Sequence, residues 1–263
     1  MRRSPTAIGF YQGNPDDLKK SIKQYIPDIP KHENALGVVV PHAGYIYSGR
    51  TAGCVYAALP HADTYVILGP NHTGMGSQVA VSTDVWNTPL GDVHVDQDFV
   101  SMLPGNVIDY DEIAHQREHS IEVQLPFLQY TQKDFKIVPI CISNQYEETA
   151  LGIGEEIVEA AQKSSKRVII IASSDFTHYQ PADIAHKKDT PVINAILDFD
   201  IHKMYSILYE LNATVCGYGA IAAMLYAAKK LGASTSELLD YSTSGDATGD
   251  NSSVVGYAGI IVE

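Results

Sequence analysis

The sequence predicts an α/β fold, a layered sandwich around a mixed, largely parallel β-sheet flanked by helices. Three short apolar runs, at 36–40, 65–68 and 168–172, are rich in β-branched residues, and the first two end at proline or glycine. Such runs are typical of strands buried on both faces of a parallel sheet. Helical patterns alternate with these strand patterns, as in βαβ units. No repeat, low-complexity tract or linker interrupts the alternation, so we expect residues 1–263 to form a single domain.

The individual elements follow from apolar periodicity and from capping and turn residues. Helices are predicted at 15–25, 49–59, 97–103, 120–130, 147–163, 190–210 and 218–231. Strands are predicted at 36–40, 65–68, 135–142, 168–172, 238–241 and 254–262. Asn14 or Asp16 would cap the first helix and Ser48 the second, and two lysines followed by a glycine would end the last helix. Residues 79–81 and 93–95 flank a turn-rich segment and are predicted to form a hairpin.

The composition is that of an acidic globular protein. Hydrophobic residues make up 45% of the chain, and 18 Lys and Arg stand against 31 Asp and Glu, a formal charge of −13. This charge repels phosphate backbones and anionic lipids, so we expect neither nucleic acid nor a membrane as partner. No segment approaches the ~20 apolar residues that cross a bilayer, and Arg2-Arg3 are not followed by an apolar segment. We therefore expect a cytoplasmic protein.

The three cysteines stand in different settings. An odd, sparse set argues against a disulfide framework. Cys54 lies in a predicted helix and Cys141 in a predicted strand, where a free cysteine packs as a small apolar residue. Cys216 lies in a glycine-flanked turn that opens a helix. Because a helix N-terminus lowers a thiol pKa, Cys216 is expected to favour the thiolate.

Two histidines follow predicted strands, each behind a proline that stiffens the turn. His42 follows the strand at 36–40, and His72 follows the strand at 65–68. In open α/β sheets, ligands bind outside the carboxyl ends of the strands. If the strands are parallel neighbours, the two imidazoles converge with Asp175, which follows the strand at 168–172. The alternative is a pair of loop histidines hydrogen-bonded to backbone.

Further polar residues are candidates for the same rim. Asp175 and His178 lie three residues apart, and a carboxylate beside an imidazole can fix its tautomer and raise its basicity. The alternative is an aspartate that caps a helix. His119 and Glu122 would share one side of a helix that begins there, unless this is only a solvated helix start. The polar segment 244–253 is either a surface loop or part of the rim.

These motifs, taken in order, resemble those of the Memo (mediator of cell motility) family from about Ala7 to the C-terminus. The matching segments are Pro41-His42-Ala43-Gly44-Tyr45, Leu68-Gly69-Pro70-Asn71-His72, Glu118-His119-Ser120-Ile121-Glu122, Ser173-Ser174-Asp175-Phe176-Thr177-His178 and Cys216-Gly217. The resemblance implies a fold like that of class III extradiol ring-cleaving dioxygenases. It also implies metal ligands at His42, His72 and Cys216, with Asp175, His178 and His119 in the same pocket.

The resemblance gives a functional expectation that differs from that for the dioxygenases. Their iron is held by two histidines and a carboxylate, whereas the resemblance places Cys216 at the carboxylate position. A soft thiolate favours iron, copper or zinc over magnesium or calcium; iron is the first expectation, with copper and zinc as alternatives. We expect redox or oxygenase-like chemistry on an unknown substrate, with His178, oriented by Asp175, as general acid or base. His119 would position the substrate.

Two other functions fit the same residues. The cleft could hold a peptide or small molecule without turnover, or Cys216 could act as a nucleophile activated by a nearby imidazole. The family resemblance also implies radical-SAM or AMMECR-type proteins as partners. The sequence specifies neither the substrate nor the oligomeric state.

Overall fold

A computed structural model describes the backbone of all 263 residues and every side chain except that of Arg2. The strands are β1 (Arg2–Arg3), β2 (Gly37–Val40), β3 (Thr64–Pro70), β4 (Val79–Val81), β5 (Val85–Thr88), β6 (Gly91–Val93), β7 (Asp109–Tyr110), β8 (Lys136–Ile142), β9 (Val168–Ser173), β10 (His178–Gln180), β11 (Ser236–Thr243) and β12 (Val254–Val262). The α-helices are α1 (Pro15–Tyr25), α2 (Tyr45–Ala58), α3 (Gln97–Met102), α4 (Leu125–Thr131), α5 (Glu147–Lys163), α6 (Ala182–Leu197), α7 (Ile201–Leu211), α8 (Tyr218–Lys230) and α9 (Ser244–Thr248). Two 3₁₀ turns cover Ile113–His115 and Glu122–Gln124.

A mixed nine-stranded sheet forms the centre of the fold, which confirms the predicted fold class. Its order is β10-β12-β2-β9-β3-β8-β4-β7, and β11 pairs with β12. Strands β2, β9, β3 and β8 run parallel, whereas β12 is antiparallel to β2 and β4 is antiparallel to β8. Val40 pairs with Ser173, and Pro70 pairs with Ile142. The carboxyl ends of the parallel strands therefore meet at one edge of the sheet.

The helices cover this sheet and explain why its central strands are continuously apolar. Helix α8 packs on β2, β3 and β9, and α5 packs on α8; helix α2 packs on β2, β11 and β12. Every residue of β2, β3 and β9 is buried. Burial on both faces removes the alternation of polar and apolar residues that marks a half-exposed strand.

Four predicted elements differ from the structure, and the first is the helix predicted at 120–130, where a 3₁₀ turn, Glu122–Gln124, precedes the shorter α4, Leu125–Thr131. Helix α2 begins at Tyr45 rather than at residue 49, and the hydroxyl of Ser48 donates to the carbonyl of Ala43 instead of capping the helix. Most of α2 is buried around its circumference, so no polar face marks its start. The predicted helix at 190–210 is two helices, α6 and α7, separated where Phe199 adopts φ of 55°. The carboxylate of Asp200 then caps α7 by accepting from the amide of Lys203.

The predicted hairpin was wrong. Strand β4 pairs with β8 and β7, and the hairpin of this region joins β5 to β6. Strand β5 is short and half-buried and leads directly into the turn, so no continuous apolar run marks it in the sequence. Among the helices of the described chain, none combines the length and the apolar character needed to cross a membrane.

Candidate metal centre

Three imidazoles converge at the carboxyl edge of the sheet. His42 follows β2, His72 follows β3, and His119 lies in the loop before the second 3₁₀ turn. One nitrogen from each ring lies within 4.8 Å of the others, and the ring centroids are 4.8 to 5.4 Å apart. Nitrogens that share one ion, with bonds of about 2.0–2.1 Å, lie at most about 4.2 Å apart, so a bound ion would draw the three rings inward. The cluster could therefore hold a metal ion.

The hydrogen bonds of Ser173 fix the tautomer of His42. The Ser173 hydroxyl lies 2.7 Å from the carbonyl oxygen of Ser120, to which it must donate its single proton. It therefore accepts from the amide Nε2 of Gln124, at 2.8 Å, and from Nδ1 of His42, at 2.9 Å. Gln124 Nε2 is identified as the donor because it also donates to the carbonyl of Pro41. With its proton on Nδ1, the His42 ring presents an unprotonated Nε2, the form that binds metal.

The buried carboxylate of Glu118 contacts the imidazoles of both other histidines, His72 and His119. Its Oε1 lies 3.0 Å from Nδ1 of His72 and 3.3 Å from Nδ1 of His119. It also accepts backbone N–H groups from His72, His119 and Ser120. A carboxylate on the outer nitrogen orients a ligating imidazole and raises its basicity. The His72 ring is left with Nε2 as the nitrogen available to an ion.

The burial and charge of the centre shift the pKa values of these groups in opposite directions. Burial and the neighbouring His72 lower the pKa of His42 to about 3, and burial with the neighbouring His42 lowers that of His119 to about 4. Burial also lowers the pKa of His72, but the hydrogen bond and charge of Glu118 outweigh it and raise the pKa. Burial raises the pKa of Glu118, yet its bond to His72 and its other donors lower it to about 2. His42 and His119 are therefore neutral at pH 7, and Glu118 is an anion.

Cys216 lies beside the cluster rather than within it. Its Sγ is 3.2 Å from Nε2 of His42, and it accepts from the backbone amide of Asp175 at 3.2 Å. The described residues whose ligand atoms lie mutually within 4.8 Å are His42, His72 and His119, without Cys216. Coordination by Cys216 stays a prediction. The expected thiolate does not form, because burial and the charge of Asp175 raise the pKa of the thiol.

Asp175 and His178 do not form the expected pair. The Asp175 Oδ1 accepts from the backbone amides of His42, at 2.8 Å, and of Ala43, at 3.3 Å. Nδ1 of His178 instead lies 2.8 Å from the carbonyl oxygen of Thr214, and no hydrogen bond joins the two side chains in the described structure. The prediction that Asp175 orients His178 was therefore wrong. Asp175 holds the turn that carries His42, while β10 places His178 next to Thr214.

A cavity of about 670 Å³ opens beside the three histidines. It is lined by Phe10, His42, Ala43, Gly44, Tyr47, His72, His119, Asp175, His178, Tyr179, Ser244, Thr248, Asp250, Ser253, Val255 and Tyr257. The segment 244–253, which was predicted as a surface loop or a rim element, contributes to this rim. Cys216 is not among the lining residues. A volume of this size suits a small organic ligand.

Several residues of the site were not foreseen. In the sequence-based prediction Glu118 has no role beyond its place in a motif, although a carboxylate directly before His119 could have indicated a partner for that imidazole. Phe10 stacks on the His119 ring at a centroid distance of 4.3 Å, and nothing in its sequence context marked it.

Glu122 does not share the helix side expected for it with His119. Its buried carboxylate accepts from the amides of Thr6 and Ala7 and from the hydroxyl of Tyr11. Glu122 therefore anchors the N-terminal segment, 6–11, that carries Phe10 to the site.

The structure defines an α/β protein with a three-histidine candidate metal centre at the carboxyl ends of parallel strands. The sequence model of the family described as "Memo-like protein" matches residues 2–261. The chain belongs to this family, as the resemblance of its motifs had predicted.

Curated relatives match the chain over almost its whole length. A MEMO1 family protein of Methanosarcina barkeri is 56% identical, with 100% of both chains covered. One from Archaeoglobus fulgidus is 53% identical, with 99% of both covered, and one from Methanocaldococcus jannaschii is 47% identical, with 99% of both covered. The crystal structure of an uncharacterized protein from Escherichia coli K12 superposes with a TM-score of 0.50 at 12% identity, over 86% of this chain and 99% of that one. This last likeness concerns the fold alone.

Proposed function

We propose that the imidazoles of His42, His72 and His119 hold one transition-metal ion, which acts on a small ligand in the adjoining cavity. Iron is the first metal to test, with copper and zinc as alternatives, because imidazole nitrogen suits all three. The observation that carries the proposal is the common orientation of the rings. Nδ1 of His42 bonds to Ser173 and Nδ1 of His72 bonds to Glu118, so these two rings have Nε2 left for an ion, and the His119 ring lies beside the same Glu118 carboxylate. Unrelated loop histidines would have no reason to share this arrangement.

The proposed activity is redox or oxygenase-like chemistry on a small organic substrate. When bound, an ion held by three imidazoles supplies Lewis acidity, or one-electron chemistry if it is iron or copper, and keeps coordination positions open. His178 lines the same cavity. Because its Nδ1 faces the Thr214 carbonyl, its Nε2 is the atom that can exchange a proton with a ligand.

The two alternative functions receive less support from this site. A cysteine hydrolase needs a nucleophile that reaches the substrate, and Cys216 does not line the cavity. Its Sγ lies 3.2 Å from His42 Nε2, a nitrogen that could serve as its base, but the raised pKa of the thiol opposes formation of the thiolate. A protein that binds a ligand without turnover would use the same cavity. Measuring the metal content of the purified protein distinguishes this function from that of a metal enzyme.

Metal analysis of protein purified without oxygen tests the proposal. We expect near-stoichiometric iron, copper or zinc, and stoichiometric uptake of Co²⁺ by the metal-free protein. His119→Ala should lower Co²⁺ affinity by more than the about 10–100-fold typical of an outer-shell residue. The control is His61→Ala, which removes an exposed histidine outside the cavity.

Two results would contradict the proposal. Wild-type protein that takes up no metal under reducing, metal-replete conditions would refute the metal centre itself. If Cys216→Ala loses the metal while His119→Ala keeps it, the assignment of His119 as third ligand is wrong and the sequence-based ligand set is right.

A further inference from the structure

Apart from its histidines, the lining of the cavity carries only negative charge. No lysine or arginine is among the residues that line the cavity in the described structure. Two carboxylates line the cavity. Asp175 accepts hydrogen bonds from the backbone amides of His42 and Ala43, whereas Asp250 is exposed at the rim. An anionic substrate group bound at this rim would meet no positive side chain that could neutralise it.

Asp250 has one carboxylate oxygen free for a ligand. Its Oδ1 accepts from the backbone amide of Ser252 at 2.9 Å and from the Ser252 hydroxyl at 2.6 Å. Its Oδ2 has no hydrogen-bond partner among the described residues. The two bonds from Ser252 lower the pKa of Asp250, so that it is an anion at neutral pH. The carboxylate is therefore both fixed in position and available.

Four aromatic side chains line the same cavity. Tyr47, Tyr179 and Tyr257 line the cavity together with Phe10, whose ring stacks on His119. Aromatic rings pack favourably against a planar ligand and, through their negative faces, against a cation. The volume of about 670 Å³ accommodates a single substituted aromatic ring.

We infer that the cavity takes a small aromatic ligand that carries a positively charged amine, and that Asp250 receives the ammonium group. A polar substituent at the opposite end of the ring would then face the three histidines. This inference rests on the proposed function for that orientation, but the preference for a cation follows from the rim alone. Ligands that carry a carboxylate or phosphate at the rim end are disfavoured.

Three matched phenols test the charge preference: tyramine, which is a cation, tyrosol, which is neutral, and 4-hydroxyphenylacetate, which is an anion. Their affinities are measured by calorimetry for the metal-free and for the Co²⁺-loaded wild-type protein. Because Asp250 is exposed, we expect a modest preference, with tyramine about three- to fivefold tighter than tyrosol at low salt. We expect 4-hydroxyphenylacetate to be the weakest of the three, and the tyramine preference to shrink in 0.5 M NaCl.

Matched variants assign the preference to one carboxylate. Asp250→Asn should make tyramine and tyrosol equal, whereas Asp28→Asn, which removes the same charge at an exposed position outside the cavity, should leave the preference intact. The inference is overturned if metal-free protein binds none of the probes, shows no preference for tyramine, or keeps that preference in Asp250→Asn. A cation preference in protein that cannot take up Co²⁺ would refute the metal centre and leave this inference standing.

Discussion

Replacement of Glu118 by glutamine removes the negative charge beside two imidazoles of the candidate metal centre, those of His72 and His119. Both carboxylate oxygens of Glu118 face N–H donors, Oε1 those of His119 and Ser120 and Oε2 that of His72. The NH₂ group of a glutamine would therefore meet a backbone N–H in either orientation. The variant both weakens the support of the His72 and His119 rings and leaves a buried donor without an acceptor.

The size of the effect follows from the number of rings that the carboxylate holds. Loss of one outer-shell partner of a ligating histidine typically costs about 10–100-fold in metal affinity. Because Glu118 serves His72 and His119 together, we expect Glu118→Gln to fall at the upper end, about 100-fold, or roughly 2.7 kcal/mol of binding free energy. We also expect it to lower the pKa of His72, whose rise depends on Glu118.

Competition between the protein and a chelator for Co²⁺ at pH 7.5 measures the affinity. The matched control is Glu156→Gln, since Glu156 is also buried, at 3% exposed against 1% for Glu118, and also accepts two backbone amides, those of Gly105 and Val107. Urea unfolding of both variants separates lost stability from lost affinity. Equal Co²⁺ affinities for wild type, Glu118→Gln and Glu156→Gln would refute the role given to Glu118.

Three further predictions concern protons and the thiol. Metal affinity should fall about tenfold per pH unit below the raised pKa of His72, because one proton competes with the ion for this ring; a flat profile of Co²⁺ affinity between pH 5.5 and 8 would contradict it. The metal-free protein should lose stability as the pH falls from 6.5 towards 4, because His42 and His119, with pKa values lowered to about 3 and about 4, take up protons first in the unfolded chain. The two rings together should cost about 5 kcal/mol by pH 4.5. The raised pKa of His72 acts in the opposite direction and offsets part of this loss. Urea unfolding at pH 7.0 and 4.5 measures the net change. Iodoacetamide should alkylate Cys216 in metal-free protein more slowly than it alkylates free cysteine at pH 7.5, because burial keeps the thiol protonated; rapid labelling seen by mass spectrometry would show that the sulfur is accessible and ionised.

The sequence located His42 and His72 because their positions depend on a simple rule. Both follow buried strands of β-branched residues, and the ends of parallel strands converge whatever their side chains are. His119 follows no strand. It reaches the cluster because the hydroxyl of its neighbour Ser120 donates to the carbonyl of Pro70, at the end of β3. A contact between residues 50 positions apart leaves no local pattern, so only the family resemblance placed His119 in this pocket, as a residue that positions the substrate.

The helices show the same division between local and distant causes. The prediction of 147–163 as one helix agreed with α5, whose acidic first turn and basic last residue mark both ends. The predicted helix at 190–210 failed because the chain turns at Phe199, where a non-glycine residue adopts a left-handed conformation. Such a conformation is uncommon outside glycine, asparagine and aspartate, and only the packing of α6 against α7 and β12 accounts for it.

The anchoring of the N-terminal segment by Glu122 bears on the order in which this protein matures. The bonds from Thr6, Ala7 and Tyr11 to Glu122 span 111 to 116 residues of sequence, and Ser173 lies 131 residues beyond the His42 ring that it holds. A nascent chain that has emerged only as far as His119 thus possesses every imidazole of the cluster and Glu118, but lacks Glu122 and the Ser173 that fixes the His42 ring. If the cluster binds an ion, the complete site accordingly forms only after the chain has been made beyond Ser173 and has folded.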